Sequence, residues 1–210
     1  MIISYFFPTI IFRASTRYNR DVRVVEEKGT NKLLVNGSRQ SGEYIKELWE
    51  HAFRSFGLPS NIQNILVLGV AGGTVIHLLH AMYPDAKITG VDIDKTMIDI
   101  GKKYFGLGSV PGLSLVTDDA KNYIQNNRKQ WDMIVIDLFV GASIPPFVGE
   151  ETFLLQMKKY LSSKGNILIN YLYELEYKRL SEIFMLKLQK LFTEVHDYTI
   201  YYNRFFYVVK

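Results

Sequence analysis

A short apolar run, Ile65-Leu66-Val67-Leu68, breaks on Gly69-Val70-Ala71-Gly72-Gly73, and this junction constrains the chain more than any other stretch. Apolar residues then recur at helical spacing through Val75, Ile76, Leu78, Leu79 and Met82. A second apolar run, Ile88 to Val91, ends on Asp92. Strand, small-residue turn, helix, strand and acid is the build of a nucleotide-binding βαβ unit. Residues without a bulky side chain let the backbone approach a large ligand. The following helix aims its free N–H groups at that ligand. An acid at the tip of the second strand can accept both hydroxyls of a ribose, and Asp92 lies roughly twenty residues past the first glycine, where such an acid falls.

The glycines lack the GxGxxG spacing that cradles a pyrophosphate. That favours a nucleoside ligand without one, such as S-adenosylmethionine. From Ile65 onward strands and helices alternate. Helices are expected at Thr96 to Tyr104, Lys121 to Arg128, Glu150 to Leu161 and Tyr177 to Leu191. Strands are expected at Leu113 to Val116, Met133 to Ile136 and Gly165 to Asn170. Val195 to Tyr201 and Arg204 to Val209 close the chain as a hairpin joined at Tyr202-Asn203. Such alternation predicts an α/β fold with a mainly parallel sheet and helices on both faces. An antiparallel last strand is the signature of the Rossmann-like class I methyltransferase fold. Ligands sit outside the carboxyl ends of such strands. The glycine turn, Asp92, Asp118-Asp119 and Asp137 all fall at those ends. For Asp118 and Asp119 a helix N-cap is an equally simple reading.

Ahead of this domain the chain reads as a small antiparallel β unit over about residues 1–40. Val22 to Val25 and Leu33 to Val35 are β-rich, with turn signals at Glu26 to Asn31 and at Asn36-Gly37. Glu43 to Phe56 follows as a helix. The division is therefore residues 1–56, an N-terminal β unit and helix, and 57–210, the Rossmann-like domain. Met1 to Phe12 is apolar, but too short to span a bilayer and interrupted by Pro8, so it reads as a buried or edge strand. It lacks the charged leader and cleavage site of a signal peptide. No membrane association and a cytoplasmic location are expected.

With 48% apolar residues, 210 positions suffice for one sizeable core. No cysteine is present, which excludes disulfides, thiolate metal sites and a cysteine nucleophile. The formal charge of +4 comes from basic residues scattered among acids, so no nucleic-acid partner is expected. His77 and His80 share a helix face without a partner carboxylate. Asp132 and Asp137, five apart on a strand, face opposite ways. No metal site is expected. Tyr198, Tyr201, Tyr202, Phe205, Phe206 and Tyr207 read as sheet packing rather than a base-stacking platform.

From about Ser15 to Asn170 the chain resembles spermidine synthases and their relatives. Arg17-Tyr18-Asn19, Val22-Arg23-Val24-Val25-Glu26, and Leu33-Leu34-Val35-Asn36-Gly37 with Gln40 match the family's words in order. Gly69, Ala71 and Gly73 stand in a turn resembling its glycine-rich loop. Val91-Asp92-Ile93-Asp94 is similar to its ribose-binding acid motif, and Asp118-Asp119-Ala120 to its adenine-binding motif. Asp137 with Leu138-Phe139 and the later Pro145 resembles its catalytic loop. The resemblance implies that Gln40 holds the amino-acid end or sulfonium of the cofactor. It implies that Asp92 takes the ribose, that Asp119, with Asp118, takes the adenine amino group, and that Asp137 is the catalytic group nearest an acceptor amine. Homodimers or homotetramers are common in such a family.

Departures from the pattern shape the expectation. Gly72 stands where the family carries an acid in the glycine loop, and Val140 where it carries a second acid after the catalytic one. The tyrosine–histidine word is missing around Tyr44 to Leu48. Polyamines are cations and need carboxylates. A loop without an acid suits the carboxylate of ordinary S-adenosylmethionine. The expectation is a diverged transferase that uses S-adenosylmethionine or its decarboxylated form on a small-molecule acceptor such as an amine, with spermidine synthesis itself disfavoured. An RNA- or protein-directed methyltransferase and a non-catalytic binding module are the alternatives.

Overall fold

Two sheets account for the strands of residues 7–210, the part of the chain that the computed structural model describes. The first is an antiparallel meander of β1 (Thr9–Ala14), β2 (Val22–Glu27), β3 (Thr30–Val35) and β4 (Ser38–Ser41). The second holds β5 (Asn64–Leu68), β6 (Lys87–Asp92), β7 (Leu113–Thr117), β8 (Trp131–Ile136), β9 (Leu161–Leu172), β10 (Glu194–Ile200) and β11 (Asn203–Val209). Its order is β10-β11-β9-β8-β5-β6-β7. β5 pairs in parallel with both β6 and β8, and only β11, between β9 and β10, runs antiparallel to its neighbours. Strand order therefore reverses at β5, where an open α/β sheet leaves its ligand crevice.

The helices are α1 (Glu43–Phe56), α2 (Thr74–Met82), α3 (Lys95–Tyr104), α4 (Ala120–Asn126), α5 (Glu151–Tyr160) and α6 (Glu176–Leu191). Period-two alternation sorts the central strands onto two faces. Leu66 and Leu68 of β5 and Ile134 and Ile136 of β8 join Leu154 and Met157 of α5 and Phe184 and Leu188 of α6. Ile65 and Val67, with Met133 and Val135, join Leu48, Trp49 and Phe53 of α1 and Ile76 and Leu79 of α2. Helix α1 thus packs into the core of the large sheet. The small sheet rests on α3, burying Val22, Val24, Leu33 and Val35 against Met97 and Ile100.

The α/β architecture, mainly parallel sheet, antiparallel last strand and preceding β unit are as the sequence implied. The differences lie where side-chain pattern is weak. Ser38–Ser41 becomes a strand through pairing with β3, although Ser-Arg-Gln-Ser carries no strand propensity. β9 starts at Leu161, four residues before the expected Gly165, across an irregularity in its register with β8. The final hairpin turns on Tyr201-Tyr202 instead of Tyr202-Asn203. The apolar amino-terminal run forms β1 from Thr9; its residues 1–6 lie outside the described part. No described helix is long and apolar enough to cross a membrane.

Candidate functional site

The β5–α2 turn is shaped by backbone positions. Gly69 adopts φ 91°, and a Cβ there would lie 2.1 Å from the Asp137 carbonyl oxygen, so the tips of β5 and β8 touch only because residue 69 is glycine. Ala71 takes φ 45°. Asp92 receives the turn: its Oδ2 accepts from Val70 N at 3.0 Å and Ala71 N at 3.1 Å, and its Oδ1 from Asp94 N at 2.9 Å. These bonds occupy most of a carboxylate's lone pairs and leave acceptor capacity on Oδ1 for a ligand hydroxyl. Burial pushes the Asp92 carboxyl up, against the pull of those amides.

Along the rim, Asp118 Oδ1 accepts from Asp119 N at 2.8 Å. Asp119 caps α4, its Oδ1 accepting from Lys121 N at 2.9 Å and Asn122 N at 3.1 Å. The cap and ligand readings therefore coexist, because capping engages one oxygen and leaves Oδ2. Ala120 opens α4 against the core. Ile93, Pro145 and Phe147 supply flat apolar walls to the same cleft.

Asp137 follows β8 at the centre of the rim, with its N–H donating to Leu68 O at 2.8 Å. Asn170 Nδ2 donates to its Oδ1 at 2.9 Å, and Asn203 Nδ2 donates in turn to Asn170 Oδ1 at 2.8 Å. Burial drives the Asp137 carboxyl up to about 6. The Asn170 amide offsets part of that rise, as does the nearby indole N–H of Trp49, which is buried and has no full hydrogen bond of its own. Two clefts meet at this residue. One runs from Gln40 past Gly69, Ala71, Asp92 and Ile93 to Asp118, Asp119 and Ala120. The other opens from Asp137 and Gln40 toward Tyr44, Asn170, Glu174 and Tyr202.

The structure thus gathers Gln40, Gly69, Ala71, Asp92, Ile93, Asp118, Asp119, Ala120 and Asp137 around one cleft. Gly73 is not part of that lining. It caps α2 at φ 85°, and a Cβ there would collide with Leu107 at 2.3 Å, so its smallness serves packing. Asn170 escaped the sequence reading, although a polar residue closing the apolar run Ile167-Leu168-Ile169 is a visible signal. Ser41 escaped it too, and so did the structural role of Asp94, which the sequence shows only as the end of the ribose-like motif. Ser41 Oγ accepts from Gly72 N at 2.9 Å. Asp94 caps α3 through Thr96 N and ties the small sheet down by accepting from Thr16 Oγ1 at 2.6 Å. Asp132 accepts from Gln63 N and Asn64 N, and His77 Nε2 lies 2.7 Å from Phe105 O. Both are bonded structurally, away from the cleft.

A cleft in this place, across the reversal point of a parallel sheet with an antiparallel final strand, belongs to an α/β domain of the class I methyltransferase-like kind. More narrowly, the chain belongs to the Spermine/spermidine synthase domain family, whose pattern it matches over residues 48–207. It is 29% identical over 170 residues to an eEF1A lysine and N-terminal methyltransferase homolog of Drosophila pseudoobscura, covering 71% of this chain and 25% of that protein. It is 32% identical over 111 residues to a polyamine aminopropyltransferase of Vibrio vulnificus, covering 51% of this chain and 37% of that protein. The chain therefore spans well under two thirds of either relative. In fold it is similar to the spermidine synthase of Thermotoga maritima, with TM-score 0.75 and 15% identity over 96% of this chain and 72% of that one. It is also similar to human methyltransferase-like protein 13 in complex with SAH, with TM-score 0.64 and 22% identity over 70% and 72% of the two chains.

Proposed function

We propose that this protein transfers a group from an S-adenosylmethionine-type cofactor to an amine. The observation that carries the reading is the place of Asp137, a half-buried carboxyl at the point where the nucleoside cleft and a second cleft join. The cleft residues fit such a cofactor: glycine-permitted backbone at Gly69, acids at neighbouring strand tips for hydroxyls and an amino group, and apolar walls for a purine. When bound, the cofactor supplies a carbon attached to a positively charged sulfur, which departs with the bonding electron pair as an amine nitrogen attacks that carbon. Gln40 lines both clefts and is placed to orient the joined ends. Asp137 accepts a hydrogen bond from the neutral amine, which turns its lone pair toward the first cleft, and takes the one proton that leaves nitrogen as the new N–C bond forms. Asn170, itself held by Asn203, fixes the carboxylate's orientation and offsets part of the rise that burial imposes on its pKa.

Methyl transfer is favoured over aminopropyl transfer. Gly72 occupies the position of the family's loop acid, and a Cβ there would lie 2.5 Å from Ser41 Oγ, so Ser41 has taken the space an acid would need. A loop without that acid accepts a cofactor carboxylate that an acid would repel. Calorimetric titration with S-adenosylmethionine, decarboxylated S-adenosylmethionine and methylthioadenosine tests both statements. The carboxylated cofactor binds tightest on this reading. Preference for the decarboxylated form restores aminopropyl transfer, and heat from none of them removes the transferase altogether.

A further inference from the structure

Among the described residues that line the two clefts, six are carboxylates, Asp92, Asp94, Asp118, Asp119, Asp137 and Glu174, and a single one is basic, Arg39. Its guanidinium lies over the Tyr44 ring, 5.7 Å from the centroid. Arg13, Arg23 and Arg204 form ion pairs, but Arg39 has none among the described residues, although Glu174 lines the same cleft. A break in strand pairing sets it there. Leu33 of β3 faces Ser41 and Leu34 faces Arg39, so Gln40 is an extra residue on β4. Strict alternation would send neighbouring side chains to opposite faces, whereas a bulge re-aims one of them. Arg39 and Gln40 accordingly line one cleft together, beside the point where Ser41 stitches β4 to the glycine turn.

We propose that Arg39 anchors the carboxylate of the cofactor and so selects which form of the cofactor this protein uses. The inference rests on the transferase reading of the cleft and names the side chain that discriminates. A sulfonium has three carbon arms. With the ribose arm in the first cleft and the transferred carbon directed at Asp137, the third arm leaves past Gln40, which lines both clefts. In S-adenosylmethionine that arm ends in an ammonium and a carboxylate. A helix amino terminus is a ready place for a carboxylate. Here the start of α2 is covered by the end of β4: Gly72 N donates to Ser41 Oγ at 2.9 Å, and Gly42 N donates to Thr74 Oγ1 at 3.3 Å. Arg39 is the cation that remains, and its planar fork suits a carboxylate through two hydrogen bonds. Glu174 supplies the opposite charge for the ammonium. Arg39 and Glu174, not paired with each other, therefore match a zwitterion. The decarboxylated cofactor offers the ammonium alone and meets Arg39 as a like charge. Loss of the loop acid at Gly72 removes a repulsion, and Arg39 adds the attraction.

The test is calorimetric titration of the full chain, and of its Arg39→Gln and Arg39→Lys variants, with three probes. These are S-adenosylmethionine, its decarboxylated form, and methylthioadenosine, which lacks the charged arm. Arg39→Gln is expected to weaken S-adenosylmethionine about tenfold. It leaves methylthioadenosine at the wild-type affinity and binds the decarboxylated form at least as tightly as the wild type does, so the preference between the two cofactors moves toward the latter. Arg39→Lys retains part of the affinity for S-adenosylmethionine, because it keeps the charge and loses the fork. The thermal midpoint without ligand stays at the wild-type value, since Arg39 is exposed and in no ion pair among the described residues. An Arg39→Gln variant that binds S-adenosylmethionine as the wild type does overturns the proposal. So does one that loses affinity for all three probes alike, which is the mark of a structural role, and so does a wild type that prefers the decarboxylated form. No heat from methylthioadenosine with the wild type strikes the transferase reading instead.

Discussion

A carboxyl at about 6 is costly to keep charged, and Asp137 shows why the cost is tolerated. Its folded pKa lies above the ordinary carboxylate value. Its contribution to stability is therefore most favourable below about pH 4, where it is neutral in both states, and turns unfavourable as pH rises toward and past about 6. Asp137→Asn removes that penalty. At pH 8 it is expected to raise unfolding free energy by about 1–3 kcal/mol while reducing transfer by about 10²–10⁴-fold. Thermal melts and single-turnover transfer on the same preparation check both halves, and a variant that loses stability as well as activity refutes the assignment. For the same reason, transfer in the wild type falls away as pH drops through about 6. Asn170→Ala deletes a bond that lowers the Asp137 pKa, so the acidic limb of kcat/KM moves to higher pH. A merely structural role for Asn170 leaves that limb in place. The place of Asp137 at the rim was readable because it ends an apolar strand. Its amide support was not, because Asn170 and Asn203 lie on strands whose pairing across β9 and β11 emerges only on folding.

Elements with strong internal pattern were readable from residues alone. β5, α2 and β6 each carry a clear period, and the glycines between them mark a turn by chemistry. The turn's tolerance is equally specific. Gly69→Ala sets a Cβ against the Asp137 carbonyl at φ 91°, and a loss of about 3–5 kcal/mol in chemical unfolding is expected. Gly72→Ala meets a side chain instead of backbone, so about 1–3 kcal/mol is expected, with partial recovery when Ser41→Gly is added. Additive losses in that pair would show that Ser41 does not occupy the loop-acid space. Elements held by their neighbours were invisible by the same logic. β4 exists because Gly42 and Thr74 anchor its end and β3 pairs with it, and the Tyr201-Tyr202 turn lacks the Asn-Gly chemistry that would announce it.

At the scale of the whole molecule, the small sheet supplies one wall of the cleft through Val35 and Gln40. Gln40 comes from β4, and two polar stitches fasten that sheet beside the nucleoside loop: Ser41 Oγ to Gly72 N, and Asp94 to Thr16 Oγ1. Asp94 is only 5% exposed and also caps α3, against which the small sheet buries Val24 and Val35. On the proposed function, cofactor held between the sheets would strengthen both stitches, because a ligand that binds only the docked arrangement adds its binding free energy to docking. Asp94→Ala is therefore expected to cost about 2–4 kcal/mol of stability, since it removes a cap and leaves the buried Asn19 amide and the half-buried Thr16 hydroxyl without their acceptor. It lowers S-adenosylmethionine affinity as well, although Asp94 need not touch the ligand. Hydrogen exchange distinguishes this coupling from simple loosening. Cofactor raises amide protection at Val70 to Gly73 and at Ser38 to Ser41 together in the wild type, and Asp94→Ala uncouples the two segments. Protection confined to the glycine turn in the wild type would mean that the sheets bind and breathe independently, and that the small sheet is a cover instead of a wall of the site.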